Sequence, residues 1–227
     1  MADTIMLALI LVPSLIIAIV FHEVAHGWVA NALGDPTARE QRRLSLNPLR
    51  HVDPVGTLVV PGLLALAKGP IFGWAKPVPV VKDRLRNPRW GMVAVAAAGP
   101  GTNFILGLVG AVLLGAVLKV LTSGNGSVWM MGLANGLEYF IIINIFIALF
   151  NLLPIPPFDG SHIVEGILPE KAARQYERLR PVGMVFFFGL VALTWFAPQL
   201  GVIENFILPP VEWLHGRYMQ VVSAVAG

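Results

Sequence analysis

The chain has 227 residues, of which 56% are hydrophobic and only 13% charged, against roughly a quarter charged in an ordinary soluble domain. It contains no cysteine, which excludes disulfides, thiolate metal sites and a cysteine nucleophile. The net charge of +3 is small, and where the charges lie says more than their sum.

Runs of about 20 apolar residues recur, long enough to cross a hydrocarbon core of about 30 Å. Helices satisfy their own backbone groups in lipid. The composition therefore predicts an all-α polytopic membrane protein with about four to six transmembrane helices. It forms one unit over 1–227, with a core over 5–166 and C-terminal helices over 181–227.

The first helix is expected from about Ile5 to Leu33. It lacks a basic flank and a small-residue cleavage site, which argues against a cleaved signal peptide. "GDPT" at 34–37 ends it. A basic loop with "LNPLRHVDPVG" leads to the apolar residues 55–67, broken by Pro61 and Gly62. That stretch is short for a span and suits a re-entrant segment. In "GWAKPVPVV" the prolines forbid helix and restrict pairing to an edge, so a short membrane-edge β element is expected there.

A second long helix is expected from about Trp90 to Leu121, interrupted by "AAAGPGTN" at 96–103, and then a turn at "TSGNGS". A third runs from about Val128 to Leu153 and is broken by "NLLPIPPFDGSH". "PEKAARQYERLR" reads as an interfacial helix and Pro181 to Ala197 as a further span. From Gly201 the pattern fits either an interfacial stretch or a sixth span.

Ten of the 16 Lys and Arg lie between Gly34 and Trp90, and four more between Pro154 and Pro181. Cytoplasmic loops collect these residues, which places both regions on the cytoplasmic side, with the first helix running inward. Nucleic acid is a poor partner for these basic loops: they carry no nucleic-acid-binding motif and flank membrane helices.

"FHEVAHGWVAN" puts two histidines and a glutamate near the inner end of the first helix. His22 and His26 are four apart and share one helix face, so both imidazoles can reach one ion. In H-E-x-x-H metalloproteases the glutamate, here Glu23, is the general base. Ionisable groups at membrane depth are costly unless they serve a polar site; the plainer alternative is a polar helix-packing patch. A catalytic zinc needs a third protein ligand and an open position. Asp159 is the best candidate, because Pro154, Pro156 and Pro157 unwind the chain just before it, on the same side of the membrane. It also suits an N-cap. Asn151 could hydrogen-bond the substrate backbone or a developing oxyanion, or simply a neighbouring helix.

These paired signatures, H-E-V-A-H at 22–26 and N-L-L-P-I-P-P-F-D-G at 151–160, resemble the site-2 proteases, which are intramembrane zinc metalloproteases. "NPLRHVDPVGT", "GWAKPVPV" and "AAAGPGTN" are similar to stretches of the family's compact prokaryotic branch, and the resemblance covers about residues 5 to 166. It implies one Zn²⁺ bound by His22, His26 and Asp159, Glu23 as base, and Asn151 near the scissile bond. It implies single-span membrane proteins as substrates, met within the lipid bilayer, and a membrane-edge strand near "GWAKPVPV" that clamps unfolded substrate by strand addition. The metal motif lies in the first helix, where many members have one helix before it. The 34–90 region is too short and apolar for a PDZ domain, and neither PDZ nor CBS modules are expected. "FDG" replaces the usual "LDG" and spares the carboxylate.

His51 and His162 are competitors for the third-ligand role, and His215 is expected to be silent. Asn103 either faces the cavity or simply belongs to a small-residue packing motif with Gly99 and Gly101. Glu138 is an isolated carboxylate within a helix. Two other functions use the same residues: a catalytically silent homologue that sequesters membrane proteins, and a metal transporter. Neither the substrate's identity nor the oligomeric state is written in these motifs.

Overall fold

Three helices are long and apolar enough to cross a membrane among the residues that the computed structural model describes, 2–66 and 73–227. They are α1 (Ala2–Ala32), α4 (Pro88–Val120) and α5 (Val128–Asn151). Between α1 and α4 lie two short helices, α2 (Thr37–Glu40) and α3 (Val60–Leu66). Beyond α5 come α6 (Asp159–Ile167), α7 (Glu170–Glu177), α8 (Arg180–Phe196) and α9 (Leu208–Ala226). α7 and α8 are bent by 55° at their junction and make a fourth span if counted as one.

α4 is the central helix. It packs against α1, α5, α6 and α9 through a stripe of small residues. At Gly107 an added Cβ would stand 2.8 Å from Tyr218 of α9, and at Gly110 it would stand 3.0 Å from Phe140 of α5. Small residues let backbones approach where lipid provides no hydrophobic drive for association. Ala111, Leu114, Ile141, Ile145, Val211 and Val222 close the main core between α4, α5 and α9. The ambiguous C-terminal stretch is thus a helix docked along two spans.

The expected break at 96–103 does not occur: α4 runs unbroken with Pro100 inside it. Breaking a span exposes backbone groups to lipid, and a proline is tolerated where neighbouring helices re-satisfy them. The expected β element also takes another form. Residues 73–81 lie in neither helix nor strand, and no strand is formed among the described residues. Pro77 and Pro79 offer no N–H for a ladder. Side chains and isolated carbonyls hold the segment instead: Arg43 donates to the Lys76 carbonyl (2.6 Å), and the Lys76 N–H donates to the His51 carbonyl (2.8 Å). The 55–67 segment is two turns of helix after a wide turn at Pro54–Val59; residues 67–72 lie outside the described residues.

Asp35, fully buried just past α1, ties the start of this loop region to its end. Its carboxylate accepts from the Thr37 N–H (3.0 Å), the Thr37 hydroxyl and the Val81 N–H (2.6 Å). Burial works against ionisation, but these bonds and nearby Arg84 outweigh it and hold the carboxyl below its usual value of about 3.9. The folded pKa lies below the unfolded one, so this stabilisation is complete above the unfolded value and is lost as pH falls through the folded one. Asp35→Asn should therefore destabilise the protein by about 1–2 kcal/mol at pH 7. In thermal unfolding in detergent, its gap from wild type should shrink as the pH is lowered below about 4.

Candidate metal centre

Ser14, Ala18, His22, His26 and Ala30 recur every four residues and form the buried stripe of α1. That stripe faces α4, so the helical repeat alone carries both imidazoles into the interface. The ring nitrogens on the Nδ1 side are both committed. His26 Nδ1 is 2.7 Å from the Val95 carbonyl, which can only accept. His22 Nδ1 is 2.6 Å from Asn103 Oδ1. Both rings therefore carry their proton on Nδ1 and present a bare Nε2.

Asp159 meets those two nitrogens. Its Oδ2 stands 3.1 Å from His22 Nε2 and 3.3 Å from His26 Nε2. It is the first residue of α6 and makes no capping bond; its carboxylate turns to the histidines instead. Several contacts fix it there. An added Cβ at Gly160 would overlap the carbonyls of Leu152 and Leu153, so only glycine lets α6 begin this close to the end of α5. Phe158 packs edge-on against Phe150 of α5 (4.6 Å) and Phe187 of α8 (5.4 Å). The phenylalanine of "FDG" is thus a clamp beside the carboxylate. Arg89, at the start of α4, donates to the carbonyls of Gly166 (2.7 Å) and Leu168 (2.6 Å) and anchors the far end of α6.

Three acceptor atoms with no hydrogen between them repel one another, and the buried Asp159 Oδ2 has no hydrogen-bond partner. Such a cluster calls for a cation. Donors about 2.0–2.1 Å from one tetrahedral zinc stand about 3.3–3.4 Å apart; the two Asp159 separations, 3.1 and 3.3 Å, are close to that spacing, and all three ligand atoms lie within 4.8 Å of one another. Among the described residues, His22, His26 and Asp159 form the one group with metal-holding geometry.

Glu23 projects from the adjoining face of α1, and its Oε2 accepts the Val78 N–H (2.9 Å) from the 73–81 segment. One turn later, an added Cβ at Gly27 would stand 2.9 Å from Val78, so this face of α1 seats the segment closely. Asn151 is half-buried, and its amide donates to the Ile147 carbonyl of its own helix (2.9 Å) rather than to a neighbour. The competing histidines lie elsewhere. His51 is buried and donates from Nε2 to the Ser45 carbonyl (2.7 Å), bracing the loop. His162 lines a polar cleft of about 320 Å³ with Lys82, Arg89, Glu165 and Glu170. Glu138 is exposed on α5. Asn144 is the residue that sequence reasoning passes over: it is fully buried and bonded to Asn103. Its signal is a lone carboxamide within "FIIINIFIALF".

Residues 113–194 match the model of Peptidase family M50, a stretch that holds Asn151 and Asp159 but not the histidine pair. Over 184 residues, 79% of this chain and 78% of the relative, the sequence is 39% identical to the candidate zinc metalloprotease YwhC of Bacillus subtilis (strain 168). The chain belongs to peptidase family M50. Two further relatives bear the same candidate description. MJ0611 of Methanocaldococcus jannaschii is 32% identical over 146 residues, 64% of each chain. Rip2 of Mycolicibacterium smegmatis is 25% identical over 166 residues, 73% of this chain and 60% of that one. No solved structure matches the chain. As a member of the site-2 protease family, the M50 chain is a metalloprotease, as its motifs imply.

Proposed function

We propose that the chain is an intramembrane zinc endopeptidase that cuts single-span membrane proteins within or near their transmembrane segment. The observation that carries this is the convergence of two tautomer-fixed imidazoles and one orphaned carboxylate at a span that also bears Glu23. His22, His26 and Asp159 would hold one Zn²⁺ per chain. Bound there, the ion supplies Lewis acidity and a water acidic enough to ionise near neutral pH. Glu23 takes the proton of the attacking water and later gives one to the leaving amine. Asn151 sits at the inner end of α5 and serves the peptide backbone near the cut. Residues 73–81 are free of helix and reach Glu23 through the Val78 N–H, which supports a role in pairing with an unwound substrate. The substrate must unwind, because a helix fills its own carbonyl bonds.

The basic loops support a site that faces the cytoplasmic side of a prokaryotic membrane. The bent α7–α8 pair and the docked α9 would bring the number of spans into the four-to-six range. The test uses purified protein in liposomes with a panel of single-span substrates, stripped of metal by a chelator and then given Zn²⁺. Cleavage should vanish and return, and it should be faster for substrates with helix-breaking residues near the cut. Zinc uptake into the liposomes with substrates intact would favour a transporter. Substrate capture without cleavage by the zinc-loaded protein would favour a silent homologue.

A further inference from the structure

Two fully buried carboxamides, Asn103 of α4 and Asn144 of α5, stand behind the metal centre. A buried carboxamide is costly in a span unless its polar atoms are used, and here they form a directed chain. Asn144 Nδ2 donates to the Phe140 carbonyl (2.9 Å). That donation leaves Asn144 Oδ1 as the acceptor for Asn103 Nδ2 (2.8 Å). Asn103 Nδ2 also donates to the Ala18 carbonyl (3.1 Å), one turn before His22. Backbone carbonyls can only accept, so the two anchors, Phe140 and Ala18, settle which way both amides face. Asn103 Oδ1 must then point at His22, and His22 Nδ1 must carry the proton.

We infer that Asn103 is a positioning residue for the metal centre, and that Asn144 orients it: together they hold His22 in the tautomer that bares Nε2. The inference rests on the metal reading given above. His26 needs no such device, because its Nδ1 partner is the Val95 carbonyl, which has no alternative orientation. His22 faces a side chain that could present either an oxygen or an NH₂ group. With the amide reversed, His22 would be driven to the other tautomer and would turn an N–H toward Asp159 and the metal position. The Ala18 carbonyl and Asn144 Oδ1 together prevent that reversal. Outer partners of metal-bound histidines commonly set affinity by 10- to 100-fold.

The experiment measures zinc affinity by chelator competition, and the His22 tautomer by ¹⁵N NMR of histidine-labelled, metal-free protein in nanodiscs. It compares wild type, Asn103→Leu, Asn103→Asp and Asn144→Leu, with the His22 signal assigned by its loss in His22→Gln. Wild type should show the Nδ1–H form. Asn103→Leu should lose that signature and bind zinc 10- to 100-fold more weakly. Asn103→Asp keeps an acceptor against His22 and should recover most of the affinity. Asn144→Leu should show mixed tautomers and an intermediate affinity. Wild-type affinity and an unchanged Nδ1–H signal in Asn103→Leu would overturn the inference. Should that variant fail to fold, Asn144→Leu decides whether Asn144 shares the orientation with the Ala18 carbonyl: an unchanged tautomer and affinity there overturn the joint role inferred. If wild type binds no zinc, the metal reading fails, and the NMR comparison still decides what fixes His22.

Discussion

Glu23→Gln is expected to lower the rate of substrate cleavage by about 10²- to 10⁴-fold while leaving about one zinc bound per chain. The substitution is nearly isosteric and removes only the capacity to take a proton. Glu23 is not among the three atoms that converge on the metal position, so the ligand set is untouched. The glutamine oxygen can still accept the Val78 N–H, so residues 73–81 stay seated on α1. Glu23→Ala separates the two roles. It should lose cleavage to the same extent and also release the segment, seen as faster proteolytic nicking between 73 and 81. The checks are cleavage of a single-span substrate in liposomes and zinc content on the same samples. Full cleavage by Glu23→Gln would remove Glu23 as the base.

Much of the site is legible in the sequence because it obeys helical periodicity. A spacing of four puts His22 and His26 on one face, and that face is the buried stripe of α1. Asp159 is legible for a different reason: three prolines free its backbone at the end of a span, and glycine follows it. The supporting shell is not legible in this way. Asn103 and Asn144 belong to different helices, and only packing of α4 against α1 and α5 brings them to His22. The Asp35 link is of the same kind, since it joins residues 46 apart. The sequence also misleads at Pro100, where a local helix-breaking signal yields to the cost of exposing backbone in lipid. At residues 73–81 the absence of helix is foretold by Pro77 and Pro79, yet the segment's partners are side chains and carbonyls of α1 and the loop after it, which no local pattern specifies.

Gly99→Ala is expected to abolish zinc binding and cleavage together while the protein stays folded. Gly99 lies on the face of α4 that abuts the histidine pair. A Cβ there would stand 2.5 Å from His26 Nε2 and 2.6 Å from His22 Nε2, so the methyl group would crowd the two ligand nitrogens themselves. Relief is hard to find. The rings cannot swing aside without breaking their Nδ1 bonds to Asn103 and Val95. α4 cannot withdraw without losing the Asn103 bond to the Ala18 carbonyl and the small-residue contacts with α5 and α9. Helix propensity favours alanine over glycine by about 1 kcal/mol, so the helix itself has no reason to melt. The matched control is Gly101→Ala, two residues on, where an added Cβ meets nothing within 4 Å. It should keep wild-type zinc content and cleavage, which isolates the effect of position from that of the substitution. Zinc content and thermal unfolding in detergent distinguish the outcomes: Gly99→Ala should hold less than about a tenth of the wild-type zinc, a loss of at least tenfold in occupancy, with melting close to that of metal-free wild type. If Gly99→Ala bound zinc and cut substrate like wild type, the metal could not lie between His22, His26 and Asp159.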